Sequence, residues 1–366
     1  MAELLQELSL AESPSGAPKA ERRALELVAA QLERADYATR AVGGREGSVH
    51  LYARPNERIR CAPHQLVLGH VDTVWPLGTA EAMEPRLVDG RLYGPGVYDM
   101  KGGLVQLVYA ARALHELGAV PSVTPAVLVN SDEEVGSGDS VQWIRLLARG
   151  AVRALVLEPP AGSTGRLKTR RKGVGRFRLT VHGRAAHAGS SPEKGASAIL
   201  ELARQVERLF ALNDPLRGVT VNVGTVDGGL LPNVVAPKAW ALVDVRAPSS
   251  DAAVEVAHAI RSPGSLRPGV TVSVEGGFSR PPMVATARNR ALFRRAEQLA
   301  ARLGMDVEEA GLVGGASDAN FTSELTATLD GLGALGDGAH AADEHVVVSA
   351  LPERAALLAL LLLEPA

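Results

Sequence analysis

Short apolar runs alternate with amphipathic stretches through the first half of the chain. Gln65 to Gly69, Ala126 to Asn130 and Ala154 to Leu157 have the length and apolar character of buried strands. Between and beside them, Gly102 to Leu117 and Ser140 to Ala148 carry apolar residues at helical spacing. This rhythm predicts an α/β domain with a mostly parallel, buried sheet, in which ligands gather at the carboxyl ends of the strands.

From Gly173 the texture changes. Arg176 to His182, Val219 to Val223 and Ala239 to Val245 alternate apolar and polar residues, the pattern of an antiparallel sheet with one wet face. Helices over Ala196 to Leu212 and Asp251 to Arg261 are expected to cover the other face. The α/β rhythm resumes after Pro281-Pro282 with a helix near Arg290 to Leu303. The expected organisation is one domain from residues 1–173 and 285–366, interrupted by an inserted α+β domain over 174–284. A length of 366 residues suits two domains.

The formal net charge of −2 argues against nucleic acid or a membrane surface as a partner. The basic run Lys168-Thr169-Arg170-Arg171-Lys172 lacks interleaved aromatics and is expected to be a solvated hairpin edge. Cys61 is the sole cysteine, so no intrachain disulfide or thiolate cage exists and any metal must be held by His, Asp and Glu. Met1 to Leu8 reads as an acidic amphipathic helix rather than an export signal. The apolar run Ala355 to Leu363 is half the length of a membrane span of about eighteen residues and fits a packed final helix. A soluble, cytoplasmic protein is expected.

Candidate chemistry lies at the strand ends. In Gly69-His70-Val71-Asp72-Thr73-Val74, residues two apart on a strand share a face, so the Asp72 carboxylate can accept the second ring N–H of a metal-bound His70. A polar pair capping a turn is the alternative. Asp99 ends the glycine-rich Tyr93-Gly94-Pro95-Gly96-Val97-Tyr98 and opens a helix, where it is either an N-cap or a ligand. Asp132-Glu133-Glu134 follows an apolar strand. Three consecutive carboxylates repel one another unless a cation compensates, and adjacent residues point different ways, so one glutamate can bind a metal while its neighbour faces the bound water. Glu158 closes the strand before Pro159-Pro160, and His340 stands in the glycine loop Gly336-Asp337-Gly338-Ala339-His340. Together His70, Asp99, Glu134, Glu158 and His340 have the composition of a two-zinc hydrolytic site.

These segments, with Gly183-Arg184-Ala185-Ala186-His187-Ala188-Gly189, resemble in identity and order the motifs of the M20 metallopeptidases, most closely the glutamate carboxypeptidase (carboxypeptidase G2) branch. The likeness spans nearly the whole chain. It implies a zinc-exopeptidase-like catalytic domain carrying an inserted lid and dimerisation domain. It implies two Zn2+ ions, with Co2+ or Mn2+ as substitutes, one held by His70, Asp99 and Glu158, the other by Asp99, Glu134 and His340. Asp72 then orients His70, and Glu133 is the general base for a metal-bridging hydroxide. His187 is implied to reach across a homodimer interface to the oxyanion, where a preorganised donor is effective. Asn233 would join that pocket. Arg280, with Arg246 as rival, would grip the substrate carboxylate through a guanidinium fork. The Gly314-Gly315-Ala316-Ser317 loop resembles the glycine loop beside the substrate, placing Gly315 and Ser317 there.

The expected activity is removal of a C-terminal amino acid, glutamate among the candidates, from a peptide or N-acyl amino acid. The alternatives are a deacylase of the acetylornithine or succinyl-diaminopimelate type and a non-catalytic binding protein on the same fold. Glu133 speaks against the last, because a binding module has no need of a base.

Overall fold

The strand expected at Gln65 to Gly69 runs from His64 to His70 and lies inside a six-stranded sheet. The computed structural model describes residues 1–44, 47–264 and 267–366. The strand order is Tyr37–Gly43, Val49–Pro55, Thr124–Asn130, His64–His70, Ala151–Val156 and Ala327–Leu329. His64–His70 pairs in parallel with both of its neighbours, and His70 sits level with Asn130. Two loops that follow these strands, 71–74 and 131–137, therefore leave the sheet at the same edge, which is where parallel sheets collect functional groups. The first two strands form an antiparallel edge hairpin that the apolar runs did not reveal.

The chain folds into two compact units, the first comprising Met1–Arg170, Ala285–Val313 and Ser317–Ala366, the second Arg171–Val284 with Gly314–Ala316. In the first unit the helix Gly102–Glu116 packs on the C-terminal helix Leu351–Leu363, which buries Leu357, Leu358, Leu361 and Leu362. Pro352 begins that last helix where its missing N–H costs nothing. Gly103 lets the first of these helices approach the sheet. A Cβ there would stand 2.2 Å from the Leu157 carbonyl oxygen. A small antiparallel sheet, ordered Gly336–Asp337, His345–Val347, Arg91–Tyr93 and Arg86–Val88, ties the segment around residue 340 to the one preceding Asp99.

In the second unit four antiparallel strands are ordered Thr271–Arg280, Gly173–His182, Lys238–Ala247 and Thr220–Gly228. The alternation holds residue by residue. Phe177, Leu179 and Val181 are buried beneath the helices Ala198–Phe210 and Ser250–Arg261, while Arg176 and His182 are exposed. Each helix begins at a serine, Ser197 and Ser249, whose hydroxyl accepts an orphan N–H of the first turn.

The basic run departs from the expectation of a solvated edge. Lys168, Thr169 and Arg171 are buried. Lys168 donates its ammonium to the Pro159 carbonyl at 2.6 Å, and its backbone pairs with Asp330. Arg171 donates to the Gly315 carbonyl at 3.1 Å. Buried carbonyls need donors, and long cationic side chains supply them from a distance. Cys61 is exposed. No helix among the described residues is long and apolar enough to cross a membrane.

Candidate metal centre

His70 ends its strand almost fully buried. Its Nδ1 lies 2.9 Å from the Asp72 carbonyl oxygen and 3.5 Å from the Asp72 carboxylate. The backbone oxygen is thus the nearer partner of the ring, where the sequence pointed to the carboxylate. The carboxylate serves other donors: Oδ1 accepts the N–H of Glu133 at 3.2 Å, and Oδ2 accepts the N–H of Glu134 at 3.1 Å and the Ser15 hydroxyl at 2.6 Å.

The other face of His70 meets two acids. Nε2 stands 3.4 Å from Asp99 Oδ1 and 3.5 Å from Glu158 Oε1. His340 presents its Nε2 to Asp99 Oδ2 at 3.5 Å and to Glu134 Oε1 at 3.3 Å. The two oxygens of Asp99 thus face two different histidines. His70 Nε2 and Asp99 Oδ1 are buried with no hydrogen-bond partner among the described residues.

The spacing fits a metal centre better than a hydrogen-bonded cluster. Amide-like N–H···O bonds centre near 2.9–3.0 Å, whereas two ligand atoms about 2.0–2.1 Å from a tetrahedral zinc ion stand about 3.4 Å apart. His70, Asp99 and Glu134 offer ligand atoms within 4.8 Å of one another, and so do His70, Glu133 and Glu158. Glu133 therefore opens onto the same space as the candidate ligands.

Charge tells the same story. Burial works to raise the Asp99 carboxyl, but the imidazoles of His340 and His70 outweigh it and hold the group well below the usual carboxylate range. Burial also opposes protonation of His70, yet Asp72, Asp99 and Glu158 push it well above its ordinary value. Asp99 and Glu134 push His340 up to about 10. Glu134 itself moves upward, because burial outweighs the neighbouring His340. So many carboxylates in one place call for positive charge, which protons on the imidazoles or a cation can supply.

The remaining candidates occupy varied settings. His187, in the second unit, is exposed, and its Nδ1 accepts the N–H groups of Gly189 at 3.1 Å and Ser190 at 3.2 Å. In the neutral ring the proton then resides on Nε2, which makes that atom a donor. Asn233 lies alongside, its carbonyl accepting the N–H of Ala188 at 2.9 Å. Arg280 closes its strand, buried. Arg246 spends its fork on Asp244, at 2.7 and 3.0 Å. Ser317 is fully buried and donates to Asp330 Oδ2 at 3.0 Å, so its hydroxyl is committed inside the fold. The Gly315 carbonyl is the acceptor of Arg171.

Two residues at the centre gave no sequence signal. Ser15 lies 57 positions from the Asp72 it bonds. Glu344 follows His340 in Asp343-Glu344-His345 as an ordinary charged residue, yet it is 1% exposed.

The sheet, the inserted antiparallel unit and the histidine–carboxylate cluster define a metallopeptidase-type hydrolase. The model of peptidase family M20/M25/M40 matches residues 66–364, and the chain belongs to this family of hydrolytic enzymes. It is 29% identical over 306 residues to carboxypeptidase G2 of Pseudomonas sp. (strain RS-16), covering 82% of this chain and 73% of that protein. It is 30% identical over 377 aligned positions to a succinyl-diaminopimelate desuccinylase of Methylorubrum extorquens, covering 95% of each. Among solved structures, aminopeptidase PepT from Bacillus cereus ATCC 10987 shares the fold with a TM-score of 0.79 at 21% identity, over 99% of this chain and 98% of that one.

Proposed function

We propose that the protein is a di-zinc hydrolase that cleaves the amide bond of a peptide or N-acyl amino acid and releases a C-terminal amino acid, with glutamate the first candidate. The observation that carries this reading is Asp99, whose two oxygens stand 3.4 and 3.5 Å from the Nε2 atoms of His70 and His340. His70, Asp99 and Glu158 would hold one ion, and Asp99, Glu134 and His340 the other. Two divalent ions there supply Lewis acidity and a nucleophilic water near neutral pH.

The chain's own groups do the rest. Glu133 takes a proton from the attacking water and returns it to the leaving amine; its backbone N–H is held by Asp72, which aims the side chain. His187 donates from Nε2 to the oxyanion, with Asn233 beside it, in a homodimer where the partner's copy serves each site. Arg280 receives the substrate carboxylate. Its planar guanidinium suits a carboxylate, and Arg246, which bonds Asp244 at 2.7 and 3.0 Å, is the rival.

A second reading is favoured by the 95% coverage of both chains in the match to a succinyl-diaminopimelate desuccinylase. The same centre would then deacylate a small N-acyl amine. Release of free amino acids from a panel of peptidyl, N-acyl and N-succinyl substrates, with zinc-loaded, chelated and Glu133→Ala protein, separates the two. Metal-dependent release from substrates ending in glutamate supports the carboxypeptidase. Activity confined to acetyl- or succinyl-amines supports the deacylase, and inactivity on the whole panel with metals bound overturns both.

A further inference from the structure

We infer that Glu344 is a positioning residue that presents Asp99 to both metal sites, an assignment that rests on the metal-centre reading above. Asp99 can meet two histidines only if its Cα–Cβ bond is aimed between them. An aspartate side chain has two torsions, so the aim is decided by the backbone that carries it. That backbone, Gly94 to Met100, is irregular: Gly96 is left-handed, at φ +69°, and Asp99 itself lies outside the helical region at φ −115°, ψ 94°. One irregular helical turn, Val97–Lys101, runs through it, and the first N–H groups of such a turn have no partner within it.

Glu344 supplies the missing acceptors. Its Oε1 accepts the N–H of Tyr98 at 2.9 Å and of Asp99 at 3.1 Å. Its Oε2 accepts the N–H of Gly96 at 2.9 Å and the indole N–H of Trp75 at 2.7 Å. Its own carbonyl accepts the N–H of Gly94 at 3.2 Å. One buried carboxylate thus satisfies four donors, three of them in the loop that ends at Asp99. Bonds to an ionised acceptor are the stronger kind, and a buried N–H left without one is costly.

The same residue reaches the other side of the centre through its own chain. The N–H of Glu344 is donated to the Ala341 carbonyl at 3.0 Å, and that of Ala341 to the Gly338 carbonyl at 2.8 Å, closing the turn that carries His340. Glu344 therefore couples the segment of Asp99 to the segment of His340. Asp72 does the corresponding work between the segment of His70 and that of Glu133 and Glu134. The two halves of the centre are each braced by a carboxylate that is not itself among the candidate ligands.

The test is zinc affinity and stoichiometry, measured by competition with a chromogenic chelator, together with the melting temperature of the metal-free protein. Glu344→Gln keeps the shape but turns an NH2 group toward donors. We expect a loss of about 10- to 100-fold in zinc affinity, the range for partners that orient ligands. Glu344→Asp retains the charge and should recover part of it. Should Glu344→Gln fail to fold, Glu344→Asp is read the same way against wild type. Leu358→Ala, in the core of the C-terminal helix, serves as a variant of lowered stability with wild-type zinc affinity. Wild-type affinity in both Glu344 variants, or an equal loss in Leu358→Ala, overturns the positioning role while leaving the metal centre standing. A wild-type protein that takes up no pair of zinc ions overturns the metal centre and the positioning role with it.

Discussion

Asp72 Oδ1 accepts the backbone N–H of Glu133 at 3.2 Å, so a residue two positions from His70 also decides where the paired glutamates leave their strand. The parallel pairing that sets His70 level with Asn130 makes this contact local in space, although Asp72 and Glu133 are 61 positions apart in the chain.

Replacing that acceptor should loosen the centre without touching a candidate ligand. In Asp72→Asn the amide nitrogen faces donors, either Ser15 or a backbone N–H. Zinc affinity is expected to fall about 10- to 100-fold. Competition titration against a chelator checks it, and unchanged affinity would mean that the His70 ring is oriented by the Asp72 carbonyl alone.

Glu133→Ala removes the proton shuttle and none of the proposed ligands. Two metals should stay bound while kcat falls roughly 10²- to 10⁴-fold. Metal analysis and kinetics on the same sample decide the matter. Loss of one metal would exchange the roles of Glu133 and Glu134.

Zinc uptake should release protons. In the metal-free protein His70 lies well above its ordinary value and His340 is pushed up to about 10. The stability these imidazolium–carboxylate contacts contribute is fully present below the unfolded histidine value and is lost as pH rises through the folded one. Metal ligation needs neutral imidazole, so at pH 7 about one proton per histidine should leave on binding, and affinity should climb as pH rises from 7 toward 10. Calorimetry in buffers of different ionisation enthalpy reads the protons directly; none released would show both rings neutral beforehand.

Lys101 should give stability a rising slope at alkaline pH. Burial pushes its ammonium down to about 8 from an ordinary 10.5, with Glu344, Glu12 and Asp72 opposing, while Nζ donates to the Ala11 carbonyl at 3.1 Å. Between these values the unfolded chain holds more protons than the folded one, so the cost of burying the charge is full below about 8 and is relieved as pH rises toward 10.5. Thermal unfolding of metal-free wild type and Lys101→Met from pH 7 to 10 tests this. Equal slopes would refute it.

Local pattern carried much of the architecture. A strand buried on both sides must be apolar throughout, and a sheet with one wet face must alternate, so His64–His70, Thr124–Asn130 and the strands of the second unit were legible from their own residues. The edge hairpin Tyr37–Gly43 with Val49–Pro55 was not, since it is neither continuously apolar nor cleanly alternating, its exposure depending on which helix lies over it. The basic run from Lys168 was misread for the same reason: charge in a sequence says what a side chain needs, and only the fold reveals whether a buried carbonyl, here that of Pro159, is within its reach.

By itself the sequence determined the candidate ligands, because histidines and carboxylates at strand ends and glycine turns are visible one segment at a time. The tertiary structure alone decided that Asp99 turns one oxygen to His70 and the other to His340, that Ser317 spends its hydroxyl on Asp330, and that Glu344 braces the loop of Asp99 across 245 positions of chain. Periodicity encodes which face of an element is buried. It holds no record of which distant segment completes a hydrogen bond, and that choice is made by the packing of the whole chain.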